Sequence, residues 1–450
     1  MHLAPRRAPS LVFIFATLLL DVLGFGLLIP VMPRLVAVVG GLPPGGAEHD
    51  ASILVTGLIV TYAVMQFVFA PVLGSLSDRF GRRPVLLLAL LGSALDYFAA
   101  SQAPAVTGQF GATTGLVFLF ITRVINGISG ATIPVCSAYI ADITPPEKRA
   151  AGFGLIGAAF GLGFVFGPLL GGVLGDETVH IPLIGPGNVS YPYIAAGVLT
   201  LINFTYGFFI LPESLPREHR RGFSWRKANP VGALHWLGGH TVVRMIAASL
   251  FIANIAQFGL HTVWVLSMQN RFAWTPKDSG LSLFVVGISA AIVQGGLARK
   301  IIPIIGERVC LLGGLALGVL AFAGYGLATE GWMIYVIIAL ASIGGLAGPA
   351  AQGMTSKAVP PDEQGLLQGA LGSLNSIAYI VGPIVAGSVF HFFTAKEGPT
   401  PYPGAGAPFL VGAGLVALSV LPVLMVWGRM PTSVREKPVE NGGSGDEEVK

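Results

Sequence analysis

Twelve long apolar stretches, separated by short polar loops, dominate this chain of 450 residues. A helix needs about 20 predominantly apolar residues to cross the hydrocarbon core of a bilayer. Only 11% of the residues are charged, against about 25% in an ordinary soluble domain. The sequence therefore predicts an all-α membrane protein with twelve transmembrane helices, at about 11–38, 52–76, 84–104, 115–141, 152–175, 191–211, 243–268, 279–300, 308–328, 332–356, 365–391 and 405–428.

Other classes of protein conflict with the composition. Disordered chains are rich in charge and poor in apolar residues, and the alternation of an outer-membrane barrel is absent. The net charge of +4 comes from short loops between apolar runs, so we expect no nucleic-acid partner. Cys136 and Cys310 are too few and too far apart for a disulfide framework or a zinc site. The first stretch follows Arg6 and Arg7 as a signal peptide would, but it is longer, contains Asp21 and lacks a cleavage site, which favours a span.

The distribution of basic residues predicts the orientation. With the N-terminus placed in the cytoplasm, 21 of the 26 Lys and Arg residues fall in cytoplasmic segments and three fall outside, while Arg34 and Arg123 lie within spans. Cytoplasmic loops carry such an excess of Lys and Arg. The bias also supports an even number of spans, because one missed helix would place the later loops on the wrong side of the membrane. We predict that both termini are cytoplasmic and that the protein lies in the cell inner membrane.

The two halves of the chain resemble each other at a fixed offset of 215 residues. The matched positions are Gly130 and Gly345, Pro134 and Pro349, Pro145-Pro146-Glu147 and Pro360-Pro361-Asp362, Gly154 and Gly369, Gly157 and Gly372, Gly167-Pro168 and Gly382-Pro383, and Gly172 and Gly387. Two pseudo-symmetric six-helix halves with a binding site between them are a common transporter plan. We expect an N-terminal half over 1–211, a cytoplasmic linker over 212–242, a C-terminal half over 243–428 and a disordered cytoplasmic tail over 429–450.

Three motifs in the first half carry a family resemblance. The segment with Gly74, Asp78, Arg79, Gly81, Arg82 and Arg83 resembles the loop between helices 2 and 3 of the major facilitator superfamily. The segment with Gly163, Gly167, Pro168, Gly171 and Gly172 resembles the helix-5 motif of its drug:proton antiporters, and Arg123-x-x-x-Gly127 resembles their helix-4 motif. The resemblance implies the major facilitator fold and export rather than import.

A narrower resemblance extends over about residues 11–428. The segments that are similar to tetracycline:proton antiporters are Asp21-x-x-Gly24-x-Gly26-x-x-x-Pro30, Ala138-Tyr-Ile-Ala-Asp142-Ile-Thr, Trp264-Val-Leu with Asn270-Arg271-Phe-x-Trp274, and Gln364-Gly365-x-x-Gln368-Gly369. Two positions depart from these antiporters. Gly318 stands where they carry an acidic residue in helix 9, and Ala290 stands where they carry a histidine in helix 8.

The motifs have physical interpretations of their own. Gly163, Gly167 and Gly171 share one helix face and allow a neighbouring backbone to approach closely, either as a tight static contact or as a seam that moves between states. Pro168 removes a helical hydrogen bond and permits a kink. The loop arginines also suit lipid headgroups. For Asp78 the resemblance implies a cytoplasmic latch, whose charge pairs favour one of two packings.

Asp21, Asp96 and Arg123 are the informative charges inside the spans. A bare carboxylate at mid-bilayer costs about 2.5–3.5 kcal/mol on insertion scales. A carboxyl that loses and regains an arginine partner changes its affinity for a proton, which makes it a workable coupling element. The alternative is a static ion pair that holds helices together. Asp142 either belongs to the proton-coupling group or pairs with Lys148 or Arg149.

Further polar residues within the spans are candidates for a cargo cavity, namely Asn126, Asn254, Gln257, His261, Gln294 and Asn375. Each either lines the cavity or joins helices through hydrogen bonds. For His261 the choices are a cargo contact, a second proton site because histidine titrates near neutrality, or a bond to a neighbouring carbonyl.

These features predict a proton-coupled exporter of amphipathic, tetracycline-like drugs that works by alternating access. The alternative is an exporter or exchanger of an endogenous metabolite with incidental drug efflux, and a receptor or scaffold also stays open. We expect no enzyme, no cofactor and no metal, because no catalytic or nucleotide-binding motif occurs in the sequence. The expected partners are protons, a small amphipathic cargo and the lipid bilayer, and we expect a functional monomer because the cavity lies within one chain.

Overall fold

Twelve helices among the described residues are long and apolar enough to cross a membrane. The computed structural model describes residues 11–42, 47–145, 149–220, 236–360, 363–395 and 404–429. The predicted fold class is confirmed, and each predicted span overlaps one helix. We number these helices α1 Leu11–Leu28, α2 His49–Phe80, α3 Arg82–Ser101, α4 Ala112–Ile143, α5 Leu155–Gly175, α6 Tyr191–Phe209, α7 Thr241–Phe272, α8 Pro276–Ile305, α9 Glu307–Leu327, α10 Gly331–Lys357, α11 Gln364–Phe393 and α12 Gly404–Met425.

Three of these helices are interrupted. Helix α4 consists of Ala112–Ser129 and Ile133–Ile143, and α10 consists of Gly331–Gly344 and Ala347–Lys357. The turns between the pieces contain Gly130 and Gly345, which the internal repeat matches. Helix α8 contains a π-helical segment at Ala291–Leu297, between Pro276–Ala290 and Ala298–Ile305. Such segments often mark functional sites.

Shorter elements flank the spans. The first predicted span ends early, at Leu28, and the chain continues as a separate helix, Met32–Val39, after a turn that contains Pro30. Other short helical pieces are Ala103–Phe110, Arg217–His219, Leu237–Gly239 and Trp427–Arg429. Between α5 and α6, strands β1 (His180–Ile181) and β2 (Gly185–Pro186) form an antiparallel hairpin.

The two halves have matching internal contacts. Helix α1 packs on α5 and α6, and α7 packs on α11 and α12. Gly167 lies directly against Gly26 of α1, and its repeat mate Gly382 lies directly against Gly259 of α7. The halves meet along two seams, α5 with α8 and α2 with α11. This arrangement gives two pseudo-symmetric six-helix halves around a central space.

Two membrane faces follow from the chain connectivity. We call the face where α2 ends and α3 begins the latch face, and the opposite one the far face. The largest apolar cluster lies toward the far face and contains residues of both halves, such as Leu58, Trp264 and Phe390. Toward the latch face each half has its own cluster, around Tyr139 in the first half and Leu367 in the second. The halves are therefore joined at the far face and apart at the latch face.

Some sequence predictions fall outside the described residues. These are the flanking Arg6 and Arg7, the repeat positions Pro146, Glu147, Pro361 and Asp362, the possible Asp142 partner Lys148, the central part of the linker at 221–235 and the tail from 430 onward.

Candidate functional site

A buried ionic group lies in the N-terminal half between α3 and α4. An Arg123 guanidinium nitrogen lies 3.0 Å from Asp96 Oδ2, and the Asn126 amide donates to the same oxygen over 2.7 Å. Asp96 is 2% exposed and Arg123 is 4% exposed. Asp96 Oδ1 and Arg123 Nε have no hydrogen-bond partner within the described part of the chain. The group thus combines a salt bridge with polar atoms that are free to take a proton or a water molecule.

Asp21 on α1 lies apart from this ion pair. Its Oδ2 accepts a hydrogen bond of 3.2 Å from the hydroxyl of Thr132, in the turn that interrupts α4. The side chain is partly buried. The structure therefore joins Asp96 to Arg123 and gives Asp21 a neutral partner, so the two acids have different surroundings. Asn126, a candidate for the cargo cavity, is only 2% exposed and belongs to the ionic group instead.

The latch motif joins three helices through Arg82. This residue begins α3 directly after Gly81, whose φ of +106° favours glycine. Its guanidinium lies 2.5 Å from Asp78 Oδ1 at the end of α2 and 3.2 Å from Asp142 Oδ2 at the end of α4. It also donates to the Ser77 hydroxyl over 2.7 Å. The side chain of Arg82 is only 8% exposed, so the bonds hold a desolvated cation at the latch face.

The linker also contacts the latch. The Ser214 hydroxyl donates to Asp142 Oδ2 over 3.0 Å, and Glu213 accepts from the backbone N–H of Arg82 over 2.8 Å. The side chains of Lys148 and Arg149, which are possible partners of Asp142, lie outside the described part of the chain. Among the described residues, Asp142 pairs with Arg82 across 60 residues of chain, at the corner where the start of α3 meets the end of α4.

The remaining latch residues have separate roles. Arg83 donates to the carbonyl of Phe208 near the end of α6. Arg79 lies over the ring of Phe80 at 5.1 Å. Gly74 lies within α2, with a Pro134 side-chain atom 3.8 Å from the position of a Cβ. Of the motif, Asp78 and Arg82 form the ion pair, and Arg83 fastens a fourth helix to it.

The helix-5 glycines pack on two neighbours at once. On one face, a Cβ at Gly163 would lie 2.6 Å from Val22, and one at Gly167 would lie 2.7 Å from Gly26, both on α1. A Cβ at Gly171 would overlap the backbone of Leu27. On the other face, a Cβ at Gly172 would lie 2.5 Å from the carbonyl oxygen of Pro276 in the other half. Helix α5 is therefore the central layer between α1 and α8.

The contacts between the halves are concentrated at the far face. Besides Gly172 with Pro276, Gly387 packs against Thr56, and the rings of His49 and His391 stack at 4.1 Å. Toward the latch face the helices separate. Nothing lies within 4 Å of a Cβ built on the glycines there, namely Gly157 and Gly161 on α5, Gly295 and Gly296 on α8, and Gly365 and Gly372 on α11. The structure is open at the latch face and closed at the far face.

Asp176 fastens the closed face. It directly follows α5, and its carboxylate accepts from the backbone N–H of Lys277 in the first turn of α8 over 3.2 Å. The N–H and hydroxyl of Thr178 also donate to it, over 2.9 and 2.7 Å. Burial acts to raise the pKa of the Asp176 carboxyl, but hydrogen bonds from Thr275, Thr178 and Lys277 outweigh it and lower the pKa. The contact is therefore stabilising above the usual carboxyl pKa of about 3.9 and is lost only as pH falls through the lowered value.

Replacing Asp176 by Ala is expected to open the far face more often. The variant loses the carboxylate that accepts the backbone N–H of Lys277 and so links the end of α5 to the start of α8. A Thr56→Cys reporter, in a chain whose Cys136 and Cys310 are Ser, lies in the α2–α11 seam. We expect a membrane-impermeant thiol reagent to modify it several-fold faster in the variant at pH 7. At pH 7 the Asp176 carboxylate is ionised, because its pKa is lowered, so the contact is intact in the unmodified chain under the conditions of the assay.

Glu177→Ala is the matched control. Glu177 neighbours Asp176 but pairs with Arg34 of its own half, over 3.0 Å. Its removal should leave the reporter rate unchanged. Equal acceleration by both variants would show that the loop, and not the bond between halves, protects the seam.

The C-terminal half contributes a polar wall of amide side chains and one histidine. The Asn254 amide donates to Asn375 over 3.0 Å, which joins α7 to α11, and Gln257 lies 3.0 Å from His261 one turn along α7. Gln257, His261, Gln294 and Asn375 are exposed. Gln294 lies in the π-helical segment of α8. The candidates from this half thus lie on α7, α8 and α11, and the glycines of α8 and α11 toward the latch face meet no neighbour.

The two positions that depart from the tetracycline antiporters lie on different helices, Gly318 on α9 and Ala290 on α8. A Cβ on Gly318 would lie 3.3 Å from Val416 of α12, so the position faces a helix contact. Ala290 is the last α-helical residue before the π-helical segment. His261 lies on α7, one turn from Gln257, and therefore stands at neither of these two positions.

Several site residues escaped the sequence analysis. Thr132, Ser77 and Ser214 contact Asp21, Arg82 and Asp142, but single hydroxyl residues give no pattern that marks them in advance. Glu307 was predicted to precede the ninth span. It is the first residue of α9 and is only 8% exposed. The sequence does contain a pattern that marks Glu307, because it follows Gly306 just as Arg82 follows Gly81.

Comparison with known proteins agrees with this architecture. A family model of the Major Facilitator Superfamily matches residues 14–331 and 304–448. The class C tetracycline resistance protein of Escherichia coli is 38% identical over 422 residues, which cover 93% of this chain and 98% of the relative. The class G tetracycline resistance protein of Vibrio anguillarum is 35% identical over 407 residues, which cover 90% of this chain and 94% of the relative.

Solved structures of other transporters have a similar fold. The human organic anion transporter MFSD10 is 26% identical, with a TM-score of 0.64 over 92% of this chain and 98% of that one. The nucleoside transporter NupG, at 14% identity, supports the fold alone, with a TM-score of 0.66 over 93% of this chain and 98% of that one. The chain is a multi-pass membrane protein. Since the family model covers most of its length and close relatives extend over nearly all of it, the chain belongs to the Major Facilitator Superfamily.

Proposed function

We propose that this protein is a proton-coupled secondary transporter that exports amphipathic, tetracycline-like drugs from the cell by alternating access. The buried Asp96–Arg123 pair carries the proposal, in a chain whose relatives are tetracycline resistance proteins. Ionisable residues inside a membrane bundle mark ion pathways by default. No catalytic step is part of this function.

The orientation follows from the basic residues. Arg79, Arg82, Arg83 and Lys357 lie at the latch face, which supports a cytoplasmic latch face and cytoplasmic termini in the inner membrane. The observed state then opens to the cytoplasm, where an exporter loads its cargo. The proposed units are the halves 1–211 and 243–428, the linker 212–242 and the tail 429–450, acting as a monomer because the cavity lies within one chain.

The ionic group couples the proton to this movement. In the inward-open state the Asp96 carboxylate holds Arg123. Protonation of Asp96 removes the charge that holds Arg123, so the pair and the packing of α3 on α4 have two arrangements. Asp21 and Thr132 place a second carboxyl near the break in α4. One proton that moves down 100 mV releases about 2.3 kcal/mol, enough for roughly a fifty-fold gradient of a neutral cargo.

The cargo surface belongs to the C-terminal half. A cavity of about 280 Å³ lies between α7, α10 and α11, with the carboxamides of Asn254, Gln352, Gln368 and Asn375 in its wall. Closer to the far face, Phe258 of α7 and Tyr379 of α11 pack edge to face, with their ring centroids 4.9 Å apart. Amides and aromatic rings without charge suit a cargo with hydrogen-bonding groups on an apolar ring system. The proton and the cargo thus have separate sites, on opposite halves.

Replacing Asp78 by Asn is expected to lower the maximal transport rate about tenfold, with little change in the apparent KM. The variant loses the 2.5 Å ion pair with Arg82 that joins α2 to α3, while the cargo surface is untouched. Asp50→Asn is the matched control, because Asp50 lies near the other end of α2 and its side chain is equally exposed, at 41%. An unchanged rate in Asp78→Asn would remove the latch from the mechanism.

A second candidate is export or exchange of an endogenous metabolite, with incidental drug efflux. Gly318 and Ala290 favour it, because two charged or titratable groups of the tetracycline antiporters are absent at these positions. The overall proton machinery of the N-terminal half is the same in both proposals.

The test is transport in energised everted vesicles. The vesicles are exposed to tetracycline and to several cationic and neutral drugs, with and without an uncoupler. Uncoupler-sensitive accumulation of tetracycline supports the first candidate and shows that no acid is needed at Gly318. Uncoupler-sensitive movement of another compound alone keeps the antiporter and changes the cargo. Silence across the panel favours the metabolite exporter.

A further inference from the structure

A second ion pair lies at the latch face, in the C-terminal half. Glu307 is the first residue of α9, and Lys357 is the last residue of α10. Lys357 Nζ lies 2.8 Å from Glu307 Oε1. Glu307 is 8% exposed, and its second carboxylate oxygen has no partner among the residues that the structure describes. Lys357 is therefore the cation that compensates a nearly buried carboxylate.

This pair corresponds to Arg82 and Asp142 of the first half, with Lys357 matched by the internal repeat and Glu307 matched by the glycine that precedes it. Lys357 lies 215 residues after Asp142. Glu307 follows Gly306 with φ +90°, just as Arg82 follows a glycine with φ +106°. Each half thus joins the start of its third helix to the end of its fourth. The polarity is reversed, because the helix start carries the cation in the first half and the anion in the second.

The reversal matters because helix ends carry partial charges. Helix N-termini favour anions and C-termini favour cations. Glu307 and Lys357 each lie at the end that favours its charge, whereas Arg82 and Asp142 each lie at the end that disfavours it. The second pair is therefore stabilised by the helices that it joins. The first pair depends on added partners.

The added partners belong to segments outside α3 and α4. Arg82 is also bound by Ser77 and Asp78 of α2, and Asp142 accepts a hydrogen bond from Ser214 of the linker. In the C-terminal half the position equivalent to Asp78, counted back from the glycine, is Pro303, which cannot form an ion pair. Movement of α2 or of the linker therefore weakens the first pair, and movement of α8 leaves the second pair intact.

We propose that Glu307 and Lys357 are positioning residues that form a fixed clamp, which keeps α9 joined to α10 throughout the cycle, and that only the Arg82–Asp142 pair separates. The proposal rests on the alternating-access function proposed above. The two halves then behave differently at the latch face. In the first half the Arg82–Asp142 pair separates, whereas in the second half α9 and α10 move together as a rigid body.

Distances between nitroxide spin labels test the proposal directly. In a chain whose native cysteines are Ser, one pair of labels is placed at Val309 and Pro360, and a matched pair at Pro84 and Pro145. These are equivalent positions in the two halves, and all four are exposed. Distances are measured in reconstituted protein without ligand, with saturating tetracycline and across a pH step.

We expect one distance between Val309 and Pro360 in every condition. The Pro84–Pro145 pair should gain a second distance that differs by about 5 Å, the scale of a one-turn shift between packed helices. A second distance in the Val309–Pro360 pair, or a single distance in both pairs, overturns the clamp. Two distances for Pro84–Pro145 without any tetracycline uptake leave the clamp standing and reject tetracycline as the cargo.

Charge reversal tests whether polarity decides which corner opens. Glu307→Lys alone places two cations together and should lower the uptake rate at least about tenfold. Glu307→Lys with Lys357→Glu restores the pair in the polarity of the first half. We expect it to recover most of the rate but to give two Val309–Pro360 distances. A single Val309–Pro360 distance in the charge-reversed double variant overturns the role of polarity. If Glu307→Lys alone fails to fold, Glu307→Gln with Lys357→Met replaces it, because this variant buries no unpaired charge.

Discussion

Uphill transport driven by a pH gradient is expected to fall at least about a hundredfold when Asp96 is replaced by Asn. The amide keeps the shape of the side chain and its contact with Asn126, but it neither ionises nor pairs with Arg123. Removing one partner of a buried ion pair costs about 3–5 kcal/mol, because the other charge stays buried and unpaired. The measurement is uncoupler-sensitive drug accumulation in everted vesicles, beside downhill counterflow in the same vesicles.

Loss of folding has to be separated from loss of coupling. Asp96→Asn with Arg123→Gln removes both charges, so no unpaired charge is left in the membrane. We expect this double variant to unfold near the wild-type temperature in detergent and to retain counterflow, but not uphill transport. Asp21→Asn provides a milder comparison, because Thr132 is the partner of Asp21 and an amide can still accept its hydrogen bond.

One result contradicts the assignment of the proton site. If Asp96→Asn and Asp21→Asn each fold and each keep uphill, pH-driven transport, then neither carboxyl carries the proton. The Asp96–Arg123 pair would then be a static link between α3 and α4. Its burial alone is compatible with that role, which is why counterflow and uphill transport have to be measured together.

The spans were predictable because the bilayer imposes one simple requirement. About 20 apolar residues are enough to define each crossing, and every predicted span overlaps a helix. The ends were less predictable, because helix ends depend on local partners. The ninth span is predicted from residue 308, whereas α9 begins at Glu307, a charged residue that pairs with Lys357.

The internal repeat predicted more than the motifs did. The repeat matched Gly130 with Gly345, and the structure interrupts α4 and α10 at these residues. It also matched Gly172 with Gly387, and each packs across a seam between the halves, against Pro276 and Thr56. A glycine alone does not tell which neighbour approaches it, so the seams themselves were not predicted.

Ion-pair partners were the least predictable part of the site. The partners of Asp142 among the described residues are Arg82 and Ser214, which lie 60 and 72 residues away in the chain. Long-range pairs depend on how helix ends meet, which no periodic pattern records. The open and closed faces were also unpredictable, since the same sequence has to support both states of a transporter.

Gly171→Leu is expected to abolish transport in both directions. A side chain at this position would overlap the backbone of Leu27, which has no rotamer to move aside, so α1 and α5 have to separate. Overpacking of this kind costs about 1–3 kcal/mol, which lowers the unfolding temperature by a few degrees in a chain of this size. Transport should suffer more than stability, because α5 also carries the contact of Gly172 with Pro276 in the other half.

Gly157→Leu is the matched control on the same helix. Nothing lies within 4 Å of a Cβ at Gly157, so the same side chain enters open space there. We expect the unfolding temperature to stay within about a degree of wild type, since a substitution that meets no neighbour changes stability by less than about 0.5 kcal/mol. Gly171→Ala should lie between the two. If Gly171→Leu transports as well as Gly157→Leu, the close approach of α5 to α1 is not needed in either state, and the glycines of this motif act through the seam with α8 alone.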